Sequence, residues 1–205
     1  MSSLPSQPTG LAAVILAAGE SRRFGSPKQV AQLNGRTLLE HVLARATGAG
    51  LDPIVAVVPE WFAPPTTSDK SPLWVRNPHP ERGMSESLQL GFAALPPSVE
   101  AAVILLGDQP TLPASSIAAI LARRGERPVI AGRNRGHATP PVLIERSHFG
   151  MVGEAIGDRG MRDLLNARPD WVTAVELPST DDVDTPEQLR ALGATAVIAA
   201  DRMGR

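Results

Sequence analysis

Residues 11–28 read LAAVILAAGESRRFGSPK, and this stretch decides the fold. Its first part, residues 11–17, is an uninterrupted apolar run, which is typical of a strand that is buried on both faces. The remainder is rich in small and basic residues and precedes a helix signal. A buried strand that leads through a glycine-containing loop into a helix predicts the first unit of an α/β domain.

The rest of the chain repeats this alternation of strand and helix. Strands are predicted at residues 54–58, 73–75, 101–106, 128–131, 141–144 and 171–177. Helices are predicted from a capping box at Thr37 and Glu40 and from the pair Thr185-Pro186, and also over residues 84–95, 113–124, 146–156 and 161–167. Residues 132–140 are predicted to be polar and irregular.

This alternation predicts a three-layer α/β/α fold with a mainly parallel sheet. A chain of 205 residues suits one domain. We assign that domain to residues 11–192. A flexible N-terminal tail is expected at residues 1–10, and a C-terminal tail or helix extension at residues 193–205.

Composition excludes several classes of protein. The chain has no cysteine, which rules out disulfide scaffolds, cysteine-ligated metal sites and a thiol nucleophile. A net charge of -1 argues against broad binding to nucleic acid or to an anionic membrane surface. No apolar run approaches the roughly 20 residues of a membrane-spanning helix. A cytoplasmic protein is therefore expected.

The loop after the first strand has the composition of a phosphate-binding loop. Its small residues allow a ligand to approach the backbone closely, and Arg22, Arg23 and Lys28 are three cations within seven residues. The spacing of Gly19 and Gly25 matches neither a P-loop nor a dinucleotide-binding fingerprint. From the residues alone, a polyphosphate site and a solvated basic loop remain equally open.

Two acidic segments are candidates for metal binding. Asp108 follows the apolar run 101–106, and ligands of such sheets bind at the carboxyl ends of the strands. Mg²⁺ prefers one or two carboxylates together with phosphate oxygens and water. The alternative is that Asp108 caps the following turn. Asp181, Asp182 and Asp184 precede the last helix, where negative charge also stabilises a helix N-terminus.

The pattern Leu16-Ala-Ala-Gly-Glu-Ser-Arg-Arg-Phe-Gly-Ser-Pro-Lys28 resembles the signature of MobA-like nucleotidyltransferases. Within that class the chain most resembles the molybdenum cofactor cytidylyltransferases. The resemblance covers residues 11–192, and Phe24 replaces the methionine that is usual at this position. It implies a nucleotide-diphospho-sugar-transferase-like fold and a nucleotidyl transfer that depends on Mg²⁺.

The resemblance also implies roles for particular residues. Those expected to bind the nucleotide are Leu16, Ala17, Ala18, Gly19, Arg23, Lys28, Asn77, Gly83, Ser87 and Asp108. Of these, Arg23, Lys28 and Asp108 are the expected catalytic residues. Asp108 and Asp184 are the expected metal ligands. For Asn77 and Gly83, ordinary turn and cap chemistry is an equally open interpretation.

The resemblance also implies a donor nucleotide and an acceptor. Family members with Ala-Ala-Gly at residues 17–19 tend to use CTP, which is therefore the expected donor. The acceptor implied by the resemblance is molybdopterin or its molybdenum-loaded form, with a molybdoenzyme as a partner. His137, Asp158 and Arg162 are the expected acceptor-binding residues, although the segment after His137 carries an insertion relative to the family pattern.

Three other functions remain open at this stage. One is the same chemistry with GTP or another nucleotide, on a sugar phosphate or another phosphate-bearing acceptor. The second is a non-catalytic cofactor-binding chaperone, and the third is an interaction module that uses Trp61 and Phe62. The simpler interpretation of these two aromatic residues is that they close over the edge of the core.

Overall fold

The computed structural model describes residues 10–21, 23–65, 71–178 and 182–193. Most of both predicted tails, Arg22 and Asp181 lie outside these residues. Nine strands lie in the described part of the chain, namely β1 (Leu11–Leu16), β2 (Gln32–Leu33), β3 (Arg36–Thr37), β4 (Ile54–Pro59), β5 (Leu73–Asn77), β6 (Ala101–Leu106), β7 (Val129–Asn134), β8 (His137–Glu145) and β9 (Val172–Glu176).

The helices alternate with the strands as the sequence predicts. The α-helices are α1 (Leu38–Gly48), α2 (Met84–Ala93), α3 (Ala114–Ala122) and α4 (Gly160–Ala167), and residues 186–193 are also helical. The capping box that starts α1 is present, because Thr37 and Glu40 each bond the other's backbone N–H. None of these helices, over the described ranges, is long and apolar enough to cross a membrane.

The central sheet has seven strands in the order β5-β4-β1-β6-β8-β7-β9. All pairs are parallel except the two made by β8, which runs antiparallel to β6 and β7. Apolar side chains cover both faces of the sheet. One face packs against α2, α4 and residues 146–154, and the other packs against α1 and α3. The predicted three-layer architecture and mainly parallel sheet are confirmed.

The strand order reverses at β1, whose neighbours β4 and β6 follow it along the chain on opposite sides. The loops that leave β1 and β6 therefore meet at the carboxyl edge of the sheet, where ligands of such folds bind. They approach closely at Gly107, where an added Cβ atom would lie 2.7 Å from Cβ of Ala17. Only glycine at residue 107 fits this contact.

Three details of the predicted secondary structure were wrong. Residues 132–140 are not irregular, since β7 and β8 form a hairpin that turns at Arg135 and Gly136, both with positive φ. Two such residues make the tight turn that suits twisted strands, although Arg135 is an unusual residue for it. Residues 146–154 form 3₁₀ turns instead of an α-helix. Pro113 lies at the N-cap position of α3 instead of in its first turn.

Candidate active site

A cleft of about 440 Å³ lies where β1 and β6 end. Of the residues to which the resemblance gives a role, eleven line it, namely Leu16, Ala17, Ala18, Gly19, Arg23, Lys28, Gly83, Ser87, Asp108, Asp158 and Asp184. They come from five separate segments of the chain. The fold therefore brings together most of the residues that the resemblance implies.

The centre of the cleft is a cluster of charges around Lys28. Its Nζ atom lies 2.5 Å from Oδ2 of Asp108 and 3.4 Å from Oδ1 of Asp184. Arg23 approaches the same Asp184 carboxylate, with Nη2 3.0 Å from Oδ2. The side chains of Lys28, Asp108 and Asp184 are 16, 20 and 26% exposed, whereas that of Arg23 is 75% exposed. Lys28 is thus sheltered between two carboxylates, and Arg23 lies at the rim.

The loop that carries Lys28 is fixed by a residue that the sequence patterns did not single out. Gln29 is almost fully buried, and its Nε2 donates to the carbonyl oxygen of Gly19 at 2.6 Å. Ser21 donates its hydroxyl to Oε1 of Gln29 and accepts a hydrogen bond from the backbone N–H of Lys28. These bonds hold the start and the end of the loop together. The only sequence signal for Gln29 is its position next to Lys28.

A small apolar cluster positions Asp184 opposite Lys28. Phe24, Leu33, Leu38 and Val183 are buried together, apart from the two larger halves of the core. Phe24 follows Arg23, and Val183 precedes Asp184. This packing therefore also brings Arg23 and Asp184 close enough to form their ion pair. Phe24 therefore has a structural role at the position where the family usually has methionine.

The loop after β6 is bonded to the same acidic segment. The backbone N–H of Val183 donates to the carbonyl oxygen of Asp108 at 3.0 Å. Nε2 of Gln109, which is buried, donates to Oδ1 of Asp182 at 2.7 Å. These two bonds hold Asp108 and Asp184 close together, although the two residues are far apart in the sequence.

The charges of the cluster influence one another strongly. Burial disfavours the Lys28 ammonium, but Asp108 and, more weakly, Asp184 outweigh this effect and raise its pKa above the usual 10.5. Lys28 is therefore a permanent cation near neutral pH. Asp182 is exposed as a residue, yet burial of its carboxyl group and repulsion from Asp108 and Asp184 raise its pKa above the usual 3.8.

Asp108 has capacity for a further ligand. Its Oδ2 faces Lys28, while Oδ1 is buried and has no hydrogen-bond partner among the residues that the structure describes. A buried carboxylate oxygen in this state costs free energy unless it is satisfied by an additional donor or cation. No group of three or more potential metal-ligating side chains occurs within the described ranges. The two carboxylates Asp108 and Asp184 fit a divalent cation of the kind that takes its remaining ligands from phosphate and water.

Asn77 and Ser87 form a buried pair beside the cleft. Asn77 is fully buried; its Nδ2 donates to Oγ of Ser87 at 2.9 Å, and its Oδ1 accepts from the backbone N–H of His79 at 2.8 Å. The Asn77 side chain thereby fixes the turn before α2. Its expected contact with the nucleotide stays a prediction, and Asn77 lines an adjoining cleft instead of the charged one.

The N-terminus of α2 is capped by a residue from a distant loop. Gly83, at the N-cap, has no side chain to cap the helix, and Oδ1 of Asp158 accepts the backbone N–H of Met84 at 3.0 Å instead. Gly83 has a φ of 86°, and an added Cβ atom would lie 2.7 Å from that same Oδ1. Glycine is therefore required for this contact. Asp158 lines the cleft and also joins two of its walls.

Replacing Asp158 by alanine is expected to lower the free energy of unfolding by about 1 kcal/mol, the usual value of a helix cap. Asparagine also accepts a capping hydrogen bond, so Asp158→Asn should retain most of that stability. Denaturant unfolding of both variants measures this difference. A wild-type unfolding midpoint for Asp158→Ala would contradict the capping role. A raised acceptor KM in stable Asp158→Asn would in addition support the predicted contact with the acceptor.

The other two expected acceptor-binding residues are not among the residues that line the cleft. His137 is exposed in the β7–β8 hairpin, and Arg162 is exposed on α4. Their predicted role remains untested. Of the aromatic pair, Phe62 is buried in the core as expected, but Trp61 is 54% exposed.

Comparison with known proteins agrees with this arrangement. The purine catabolism protein PucB of Bacillus subtilis is 30% identical over 199 residues, which cover 87% of this chain and 93% of PucB. A 2-C-methyl-D-erythritol 4-phosphate cytidylyltransferase of Streptomyces avermitilis is 33% identical over 54% of this chain and 48% of its own length.

Solved structures share the fold. The crystal structure of the Mycobacterium tuberculosis Rv0371c homologue from Mycobacterium sp. strain JC1 superposes with a TM-score of 0.79 and 28% identity. The superposition covers 94% of this chain and all of the other. Residues 13–172 match the family described as the MobA-like NTP transferase domain. The chain thus belongs to the MobA-like NTP transferase family and is a nucleotidyltransferase with the nucleotide-diphospho-sugar transferase fold.

Proposed function

We propose that the protein transfers CMP from CTP to the phosphate of molybdopterin or its molybdenum-loaded form and releases pyrophosphate. The observation that carries this proposal is the position of Lys28 between Asp108 and Asp184, below the loop 17–19. A fixed cation, two carboxylates and a backbone loop open to a ligand are the groups that a nucleotide triphosphate and its cation need.

The reaction requires no nucleophile from the protein. An oxygen of the acceptor phosphate attacks the α-phosphorus of CTP, and the bond from that phosphorus to the β-phosphate oxygen breaks. The products are a diphosphate-linked CMP adduct and pyrophosphate. Catalysis then consists of positioning the two substrates in line and stabilising charge.

Lys28 and Arg23 supply the positive charge in this scheme. A unit cation 4 Å from a phosphate oxygen gains about 4 kcal/mol at an effective dielectric constant of 20. Lys28 is held in place by the loop bonds through Gln29, so it needs little reorganisation during the reaction. Arg23 lies at the exposed rim, where it would bind the leaving pyrophosphate and release it to solvent.

Asp108 and Asp184 would hold Mg²⁺, which neutralises phosphate charge and orients the phosphates when it is bound. The buried, unpartnered Oδ1 of Asp108 supports this assignment. CTP is the proposed donor because Ala17, Ala18 and Gly19 line the cleft and this sequence is typical of CTP-using relatives. The similarity to a cytidylyltransferase supports the same donor.

A thermal-shift panel with CTP, GTP, ATP and UTP, each with and without Mg²⁺, tests the donor and the metal together. Ligand binding raises the melting temperature in proportion to RT ln(1 + [L]/Kd), so the tightest donor gives the largest shift. CTP with Mg²⁺ should exceed the other three. A larger shift with GTP would overturn the CTP assignment. Pyrophosphate release with molybdopterin, compared with sugar phosphates, then tests the acceptor.

A further inference from the structure

A second cleft opens beside the charged one. It measures about 690 Å³, and the two clefts share one wall, formed by Ala18, Gly19, Glu20, Ser21, Gln29, Pro80 and Glu81. From this wall the second cleft extends away from the carboxylates towards the loop after β4. The two clefts therefore adjoin at residues 18–21 and 80–81.

The far side of the second cleft is formed by Trp61. This is an exposed large aromatic side chain that nevertheless sits on a well-anchored turn. Phe62 is buried beside it, with ring centroids 6.2 Å apart, and packs in turn on Trp74 at 5.2 Å. The backbone of the turn is bonded from Phe62 N–H to the Pro59 carbonyl oxygen.

A second bond reaches this turn from the neighbouring strand. Nη1 of Arg76, on β5, donates to the carbonyl oxygen of Glu60. The turn is therefore tied both to its own strand and to the next one. Such anchoring keeps the Trp61 backbone in place while its side chain borders the cleft.

The remaining lining of the second cleft combines rigid apolar surfaces with acidic side chains, since Glu20, Glu60 and Glu81 also border it. Pro59, Pro78 and Pro80 contribute rigid apolar surfaces, and Gly19 and Gly25 add no side-chain bulk. Asn77 also borders this cleft, but its amide groups are already bonded to Ser87 and His79. Stacking is the interaction that such a surface offers, because every nucleobase has a π-face that an aromatic side chain can contact.

We propose that Trp61 is the stacking platform for the nucleobase of the nucleotide substrate. This inference rests on the proposed function, since it places the base by reference to a triphosphate at Lys28. It assigns affinity for the base to Trp61.

Calorimetric binding of CTP, GTP and inorganic tripolyphosphate tests the inference, because tripolyphosphate carries the phosphates without a base. Base stacking on an aromatic side chain is worth enough that Trp61→Ala should weaken CTP binding about tenfold or more. Trp61→Phe should weaken it less. Tripolyphosphate binding should stay unchanged in both variants. Leu73→Ala, which removes another exposed apolar side chain at the start of β5, is the matched control.

Intrinsic fluorescence gives an independent readout. The chain has three tryptophans, and among the described residues Trp61 is the one that lines the second cleft. The CTP-induced change in emission should therefore be present in wild type and absent in Trp61→Phe. The same change should be absent with tripolyphosphate. Both results are obtained on the whole chain and do not depend on turnover.

The outcomes separate this inference from the proposed function. Tight CTP binding by Trp61→Ala overturns the inference and leaves the donor assignment intact. If wild type prefers GTP with the same dependence on Trp61, the inference stands and the cytidylyl assignment fails. An effect confined to the acceptor KM overturns the inference, because Trp61 would then contact the acceptor. Equal loss of tripolyphosphate binding also overturns it, since the defect would not concern the base.

Discussion

Lys28→Ala is expected to lower turnover at least about 100-fold, the scale of losing one charge-stabilising group in an active site. Lys28 is held between Asp108 and Asp184; Arg23 pairs with Asp184, and Lys28 is the cation that pairs with Asp108 among the described residues. Its removal leaves two carboxylates facing the phosphates. Initial rates of pyrophosphate release at saturating CTP measure the loss.

Lys28→Arg separates charge from geometry. The ammonium is compact, whereas a guanidinium is planar and tends to bind one carboxylate with two parallel hydrogen bonds. An arginine here would form an ion pair with Asp108 or Asp184 instead of binding the phosphates. We therefore expect most of the activity to be lost although the charge is kept. Wild-type turnover in Lys28→Arg would contradict this account. For Lys28→Ala, the control is Arg45→Ala, which removes an exposed cation outside the cleft.

Asp108→Asn is the second change with a large expected effect, again a loss of turnover of at least about 100-fold. The substitution keeps the shape of the side chain but removes the charge beside Lys28, and it weakens Oδ1 as a ligand for a cation. A readout other than activity is the melting temperature of the protein, which should rise further with CTP and Mg²⁺ together than with CTP alone. We expect this increment to vanish in Asp108→Asn.

Stabilisation by CTP alone should persist in the same variant, because Lys28 and Arg23 remain. Asp170→Asn, which changes an exposed acidic residue outside the cleft, should behave as wild type. A full Mg²⁺ increment in Asp108→Asn would show that the cation does not depend on this carboxylate. The assignment of Asp108 as a metal ligand would then be wrong.

The sequence predicted the elements whose signals are local. β1, β4 and β6 are continuous apolar runs, and α1 starts at a capping box, so their positions follow from burial and from hydrogen bonding at the helix end. β8 was recognised only in part. Its first residues are polar, and a tight turn at Arg135 and Gly136 pairs them with β7, a contact that no periodic pattern reveals.

The candidate site likewise contains residues that local patterns mark and residues that only the fold brings together. Arg23, Lys28 and Asp108 were found because a specific motif and the carboxyl ends of buried strands mark them. Gln29 was not assigned to the site, because its hydrogen bond to Gly19 arises only in the folded chain. The stacking role proposed for Trp61 likewise depends on a cleft that only the fold forms. Asp158 was expected to bind the acceptor, and its capping bond to α2 arises only when two distant segments meet.

The contact between Gly107 and Ala17 has a consequence for redesign of this protein. The floor of the site is made of two turns packed against each other, and there is no room for a side chain at residue 107. Altered substrate preference is therefore best sought by libraries at the rim of the second cleft, around Glu60 and Trp61. Those surfaces are exposed, so they accept new side chains without repacking the sheet beneath them.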